Sequence, residues 1–188
     1  MLEQLLLLSQ VISALTLATD IALVVFLGLW AWHSWVTRLS FFDDFKNYLR
    51  DVALPVSFLM AFGGIVGSLF YSNVLGYEPC ELCWWARVFL YPQAFILALA
   101  WPRKNRQIFS YLLPLSFLGA AVMIYNQALQ MGWIGASSIF CGSGEGVDCT
   151  LRYVFDYGFI TIPMMALTTF GWLIILGILG KEEKVASK

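Results

Sequence analysis

The stretch Tyr77-Glu-Pro-Cys-Glu-Leu-Cys-Trp-Trp-Ala-Arg87 sets a Cys-x-x-Cys pair where a polar loop ends and an apolar helix is predicted to begin. A helix start leaves backbone amides without partners, and their positive end favours an anion. Cys83, in the first turn of that helix, is therefore expected to be an acidic thiol. Arg87 follows one turn later on the same face, roughly 6 Å along the axis. A charge one turn down an apolar helix is costly and usually functional. A static disulfide or half of a zinc site are the competing readings of the pair, and neither needs that arginine.

Composition decides the solvent around this helix. Of 188 residues, 60% are hydrophobic and 12% charged, with a mean hydropathy of +0.77, against roughly one-quarter charged in a soluble domain. The expectation is an all-α integral membrane protein. A net charge of −1 and a sequence without a basic tract offer nucleic acid no surface.

Upstream, residues 5–35 carry a single charged residue, Asp20, and are long enough for one span, which needs about 20 apolar residues. A secretory signal is the rival reading, but Glu3 replaces the expected basic start, so an uncleaved span is expected. Trp30, Trp32 and Trp35 read as an interfacial belt, which puts Asp20 near mid-membrane. There it is expected as a hydrogen-bonded carboxyl in a helix interface, with a proton relay as the alternative. His33 reads as an interfacial residue rather than a ligand. In residues 40–50, Phe41, Phe42, Phe45, Tyr48 and Leu49 recur at helical spacing, and Ser40 with Asp43 resembles a capping box. This predicts a short amphipathic helix on the membrane surface, or else a charged connector.

Further spans are predicted at about 55–75, 84–101, 108–131 and 159–179, with Pro92 expected to bend the second of these and 102–107 forming a tight turn. Gly63, Gly64, Gly67 and Ser68 make two small-xxx-small pairs, expected to pack a neighbouring helix closely. Five spans alternate sides, so both cysteine-bearing loops share one face. Nine basic residues fall on the opposite side (Arg38, Lys46, Arg50, Arg103, Lys104, Arg106, Lys181, Lys184, Lys188) and two, Arg87 and Arg152, on the cysteine side. The positive-inside rule then places the N-terminus and all four cysteines outside the cytoplasm, where disulfides persist.

The second pair lies in Cys141-Gly-Ser-Gly-Glu-Gly-Val-Asp-Cys149, whose glycines allow a disulfide to close or a thiol to swing. Zinc ligands favour shorter spacings within a pair, so no metal site is expected. Two structural disulfides in a scaffold remain the alternative to redox exchange. Glu78, Glu81, Glu145 and Asp148 complicate an acidic thiol, because carboxylates oppose a thiolate.

Pro79-Cys-Glu-Leu-Cys-Trp-Trp-Ala-Arg87 followed by Tyr91-Pro92 resembles the quinone-binding loop and helix of the disulfide bond formation protein B (DsbB) family. Gly158-Phe-Ile-Thr-Ile-Pro163, after a closely spaced second pair, resembles its BdbC-type branch. The resemblance spans about 55–179 and implies a four-helix transmembrane bundle over 52–180. The N-terminal transmembrane helix (1–36), the surface helix and connector (37–51) and a cytoplasmic tail (181–188) complete the chain. It further implies a quinone-dependent thiol oxidase of the bacterial inner membrane, using ubiquinone or menaquinone and serving a DsbA-like thioredoxin-fold partner. In that scheme Cys141 takes the mixed disulfide, Cys149 resolves it, and electrons pass to Cys80 and Cys83. Cys83 would face the quinone with Arg87 stabilising negative charge. A reductive enzyme of the vitamin K epoxide reductase kind is a further alternative. Where family members often carry histidine, this chain has Asn126, which can hydrogen-bond a quinone carbonyl but cannot shuttle a proton near neutral pH.

Overall fold

Apolar runs of this length bury their backbone polar groups by forming helices, and among the described residues five helices are long and apolar enough to cross a membrane. The structure is a computed structural model that describes residues 2–35, 40–135 and 148–181. Its helices are α1 (Leu2–Trp35), α2 (Ser40–Asp51), α3 (Ala53–Leu69, continued by a π-helical turn, Phe70–Val74), α4 (Glu81–Ala100), α5 (Phe109–Gln130, after a 3₁₀ turn, Arg106–Ile108) and α6 (Ile162–Gly180). The spans fall within a few residues of those expected from the sequence, and α4 stays helical across Pro92. Cys141, Glu145 and the glycines between Cys141 and Cys149, the side chains of Ser40, Phe41 and Phe42, and Arg38, Lys184 and Lys188 lie outside the described residues.

Helices α3 to α6 form the bundle, with α5 packed most extensively on α6. Its core is made of Ala61, Leu97, Phe109, Met123 and Phe170, all essentially buried. Close approach is set by glycine at two places. A Cβ on Gly119 would lie 2.4 Å from the Phe170 ring, and one on Gly180 would lie 2.5 Å from the Phe109 ring. Polar contacts add direction inside the bundle, where few other partners exist. Ser116 Oγ donates to Gln93 Oε1 at 2.7 Å, joining α5 to α4.

The stripe Gly63, Gly64, Gly67 and Ser68 behaves differently from its prediction. Only Gly64 packs, with a Cβ there 2.9 Å from Leu90 and 3.3 Å from Thr169; no atom outside their own helix lies within 4 Å of a Cβ built on Gly63 or Gly67. The small residues therefore border a gap, because the helix facing them is held away by its own attachments.

That helix is α1, and its attachments are polar and few. Thr168 Oγ1 on α6 donates to Asp20 Oδ1, so Asp20 is the expected interface carboxyl. Trp172 Nε1 donates to the Thr19 carbonyl at 3.4 Å, and Leu23 meets Gly171. Near the other end, the Ser9 and Tyr71 hydroxyls lie 3.3 Å apart. Most of the remaining surface of α1 is apolar and exposed, as lipid contact requires. Helix α2 then folds under the far end, with Phe45 and Leu49 against Phe26 and His33 Nε2 3.2 Å from the Asp43 carboxylate. Asp51 meets Arg106 at 3.2 Å, so α2 and the α4–α5 turn share one end of the molecule.

Candidate functional site

The opposite end holds the cysteines. The π-turn closing α3 is sealed by Leu75 N–H donating to the Phe70 carbonyl at 3.1 Å, and Gly76 then turns the chain with φ +71°. That wider turn carries Tyr71, which stacks on Tyr77 at 6.2 Å; Tyr77 in turn stacks on Tyr153 at 4.6 Å between centroids. Three rings thus tie the end of α3, the first cysteine loop and the second loop into one column. The two cysteine-bearing loops meet on one end of the bundle, as five alternating spans demand.

Cys80 occupies the N-cap of α4 and Cys83 its first turn. Their sulfurs are 3.0 Å apart and both are free. Asn126, fully buried on α5, brings its amide nitrogen to 3.8 Å from each sulfur, while its Oδ1 finds no partner. Cys149 is disulfide-bonded, 1% exposed, and packs in one small cluster with Cys80, Leu82 and Leu129.

The thiol lowered in the loop is Cys80, to about 7. Its hydrogen bond with Cys83 is the largest cause; burial opposes it, and the Cys83 amide, Asn126 and the Leu82 amide assist. The helix-start argument pointed to Cys83. The reason for the difference is chiefly the thiol–thiol contact: Cys83 donates to the Cys80 sulfur and so favours the thiolate there, and the N-cap position adds the amides of Leu82 and Cys83 in lesser part. Glu78 and Glu81 flank the pair, yet they do not keep Cys80 at the ordinary thiol value.

Arg87 leaves the sulfurs and turns toward α3. Its Nε donates to Ser68 Oγ at 2.9 Å and its Nη2 to the Ser68 carbonyl at 3.4 Å, with the guanidinium 5.0 Å from the Trp84 ring centroid. Cys83 and Arg87 line a cavity of about 370 Å³ bordered by α1, α3, α4, α5 and α6, within the ~300–1,000 Å³ of small-molecule sites. Asn126 does not line it. A smaller pocket of about 50 Å³ on the loop side shares Ser68, Tyr71, Cys83 and Arg87.

Sequence reading overlooked the residues that hold the second loop down. Gln127 accepts from the Thr161 hydroxyl and donates to the Phe159 carbonyl at 3.1 Å, and Gln130 donates to the Leu151 carbonyl at 3.2 Å. The signal was present: Tyr125-Asn-Gln-Ala-Leu-Gln130 puts three amides in the last turns of an apolar helix, where each requires a partner. The tyrosine column and Ser68 carried no comparable signal.

A multi-pass helical bundle with one cysteine pair at a helix start and a further, buried cysteine packed against it defines a membrane thiol–disulfide protein. The chain matches the family described as Disulfide bond formation protein DsbB over residues 50–179 and belongs to that family. It is 37% identical over 137 residues to the disulfide bond formation protein C of Bacillus subtilis (strain 168), covering 72% of this chain and 96% of that protein. The probable disulfide formation protein C of Bacillus cereus (strain ATCC 14579) is 37% identical over 122 residues, 64% of this chain and 86% of its own length. The probable disulfide formation protein of Chlamydia pneumoniae is 34% identical over 138 residues, with coverages of 73% and 98%. No solved structure matches the chain. The resemblance seen in the sequence is thus the family relationship, and α1 and nearly all of α2 fall outside the matched residues.

Proposed function

We propose that this chain is a quinone-linked thiol oxidase of the bacterial inner membrane. It reoxidises an extracytoplasmic, DsbA-like thioredoxin-fold dithiol protein and passes the electrons through two cysteine pairs to ubiquinone or menaquinone. The observation that carries this reading is that one dithiol has a buried second-loop cysteine on one side and an arginine-lined cavity on the other. The nine-to-two distribution of Lys and Arg supports an N-terminus and four cysteines outside the cytoplasm.

In this scheme a partner thiolate attacks a Cys141–Cys149 disulfide at Cys141 and frees the Cys149 thiol. The partner's second thiol, rather than Cys149, then displaces Cys141, because return of Cys149 would only release the partner reduced; the partner leaves oxidised and the pair is left reduced. Cys149, buried beside Cys80, is positioned for the next exchange with a Cys80–Cys83 disulfide, which closes Cys141–Cys149 again. Bound quinone supplies the chemistry that ends the relay, taking up the two electrons and two protons that the Cys80–Cys83 dithiol gives up. The residues fit such a group: the cavity has the volume, Cys83 and Arg87 stand at one part of it, and its lining is mainly apolar. Arg87, fixed by Ser68 and Trp84, holds a permanent positive charge where negative charge develops. Asn126 holds the sulfurs from the bundle side, and its unpaired Oδ1 is free to take a proton donor.

The test uses purified protein in detergent with a reduced thioredoxin-fold dithiol protein and a water-dispersible quinone, following quinone absorbance. Expected is stoichiometric quinone loss and partner oxidation over many turnovers; Cys83→Ser abolishes quinone loss and limits partner oxidation to one equivalent. If the partner stays reduced while both cysteine pairs stay oxidised, the disulfides are structural and the chain is a scaffold.

A further inference from the structure

We infer that α1, which the family match does not include, is one wall of the quinone site and holds the hydrocarbon tail of the quinone. This rests on the quinone-linked reading above and adds to it a residue set outside the bundle.

Helix α1 touches the bundle at Ser9 and at the fully buried Ser13, both against Tyr71 near the cysteines, and again at Thr19 and Asp20, against Trp172 and Thr168 on α6. Six residues of helix separate Ser13 from Thr19, roughly 9 Å at 1.5 Å per residue. Along that length α1 bridges a gap, since Gly63 and Gly67 of α3 meet nothing there, and the gap is the 370 Å³ cavity. Ile12, Leu15, Thr16 and Thr19 form its α1 side.

The chemistry of the walls specifies the occupant. Cys83, Arg87 and Ser68 give the cavity a polar part, whereas its α1 side is apolar. Even the threonines conform, because Thr16 Oγ1 donates to the Ile12 carbonyl at 2.9 Å and Thr19 Oγ1 to the Thr16 carbonyl at 2.8 Å. Their hydroxyls are already paired within the helix, leaving the wall little to offer a polar ligand. Met60 and Met165 add side chains that adapt to an irregular chain. A molecule with a polar ring and a long apolar tail matches both parts, and a tail laid along α1 leads outward to lipid.

The experiment compares decyl-ubiquinone with the same ring lacking a tail, measuring Kd by quenching of intrinsic tryptophan fluorescence in detergent. Thr16→Phe on α1 and Gly67→Leu on α3 fill the cavity from opposite sides. Each is expected to weaken decyl-ubiquinone about tenfold or more, the burial of two or three methylenes, and to leave the tail-less ring within about twofold. Retained binding of the tail-less ring also shows that the variants fold. Val24→Phe, on the exposed side of α1, is expected to bind both quinones as the parent does. If Gly67→Leu weakens the decyl quinone and Thr16→Phe does not, α1 is not a wall and the inference falls while the oxidase reading stands. If the parent's preference for the decyl tail vanishes when phospholipid is added, an acyl chain occupies the gap and the inference again falls. A parent that binds neither quinone overturns the oxidase reading and this inference together.

Discussion

The two sides of the Cys80–Cys83 pair are built on opposite principles. Toward α5 and the second loop the site is closely packed: Asn126 lies on both sulfurs, Cys149 is buried beside Cys80, and Gln127 and Gln130 pin the loop. Toward α1, α3 and α6 the site opens into a large cavity edged by Gly63 and Gly67, where a Cβ would meet no described atom outside its own helix within 4 Å. Thiol exchange needs sulfurs held at contact distance, which packing provides, whereas a diffusing lipid-soluble acceptor needs room. One side is thus packed and the other open, an asymmetry that the proposed oxidase reading requires.

Glycine substitution breaks this comparison most sharply. Gly119→Leu drives a side chain into the fully buried Phe170 ring, which has nowhere to move, and overpacking of this kind is expected to cost about 3 kcal/mol. Gly67→Leu enters open space and removes a poor helix former, so no stability is lost. Thermal unfolding in detergent is expected to show a large drop for the first variant and none for the second. Equal destabilisation would mean that the α3 glycines pack in the membrane after all and that the two sides do not differ.

Arg87→Lys sharpens the comparison at the boundary between the sides. Lysine keeps the charge but loses the fork that spans the Ser68 hydroxyl and carbonyl, and it stacks less well on Trp84. The quinone KM is expected to rise about tenfold, the loss of one charge-assisted hydrogen bond. Formation of the mixed disulfide with the partner, on the packed side, is expected to be unchanged. An unaltered quinone KM would assign Arg87 to holding α4 against α3.

How much of this was legible in the sequence depended on whether one helix or several set the feature. The spans, the surface helix, the cysteine motif and the family were readable, because apolar length, helical spacing and a short motif are local. The interface role of Asp20 was readable too, since a carboxylate in an apolar span needs a partner. The glycine stripe was misjudged because a small-xxx-small pattern states that a close approach is possible, and only the attachments of α1 decide that it does not occur. The reading of Cys83 as the acidic thiol considers only the helix start and Arg87; the contact between the two sulfurs, which lowers Cys80 instead, depends on how the loop folds back onto the helix. The tyrosine column and the contribution of α1 to the cavity join residues more than 50 positions apart, and nothing in a single sequence encodes those pairings.

The smallest effect is expected at Asn126, on the packed side. Cys80 is held at about 7, below the ordinary thiol value of 9.0, chiefly by Cys83 and in lesser part by the Asn126 amide. Asn126→Leu removes one long hydrogen bond to sulfur, so the folded value of Cys80 moves upward. At pH 7 the reduced protein then carries less thiolate, by at most about fivefold for a bond of ~1 kcal/mol. Above the ordinary thiol value both proteins are ionised and the difference disappears; well below pH 7 both are protonated and it disappears again. The sign for stability runs the same way. A depressed thiol stabilises the reduced fold above the unfolded value, and that contribution is lost as pH falls through about 7, so the variant loses it at a higher pH. Alkylation of the reduced protein from pH 6 to 9.5, an assay window of roughly the span over which thiols titrate, measures the displacement directly. An unchanged profile would mean that Asn126 does not support the thiolate. Its buried Oδ1 and its place beside both sulfurs would then have to be explained by packing of α5 on α4 alone.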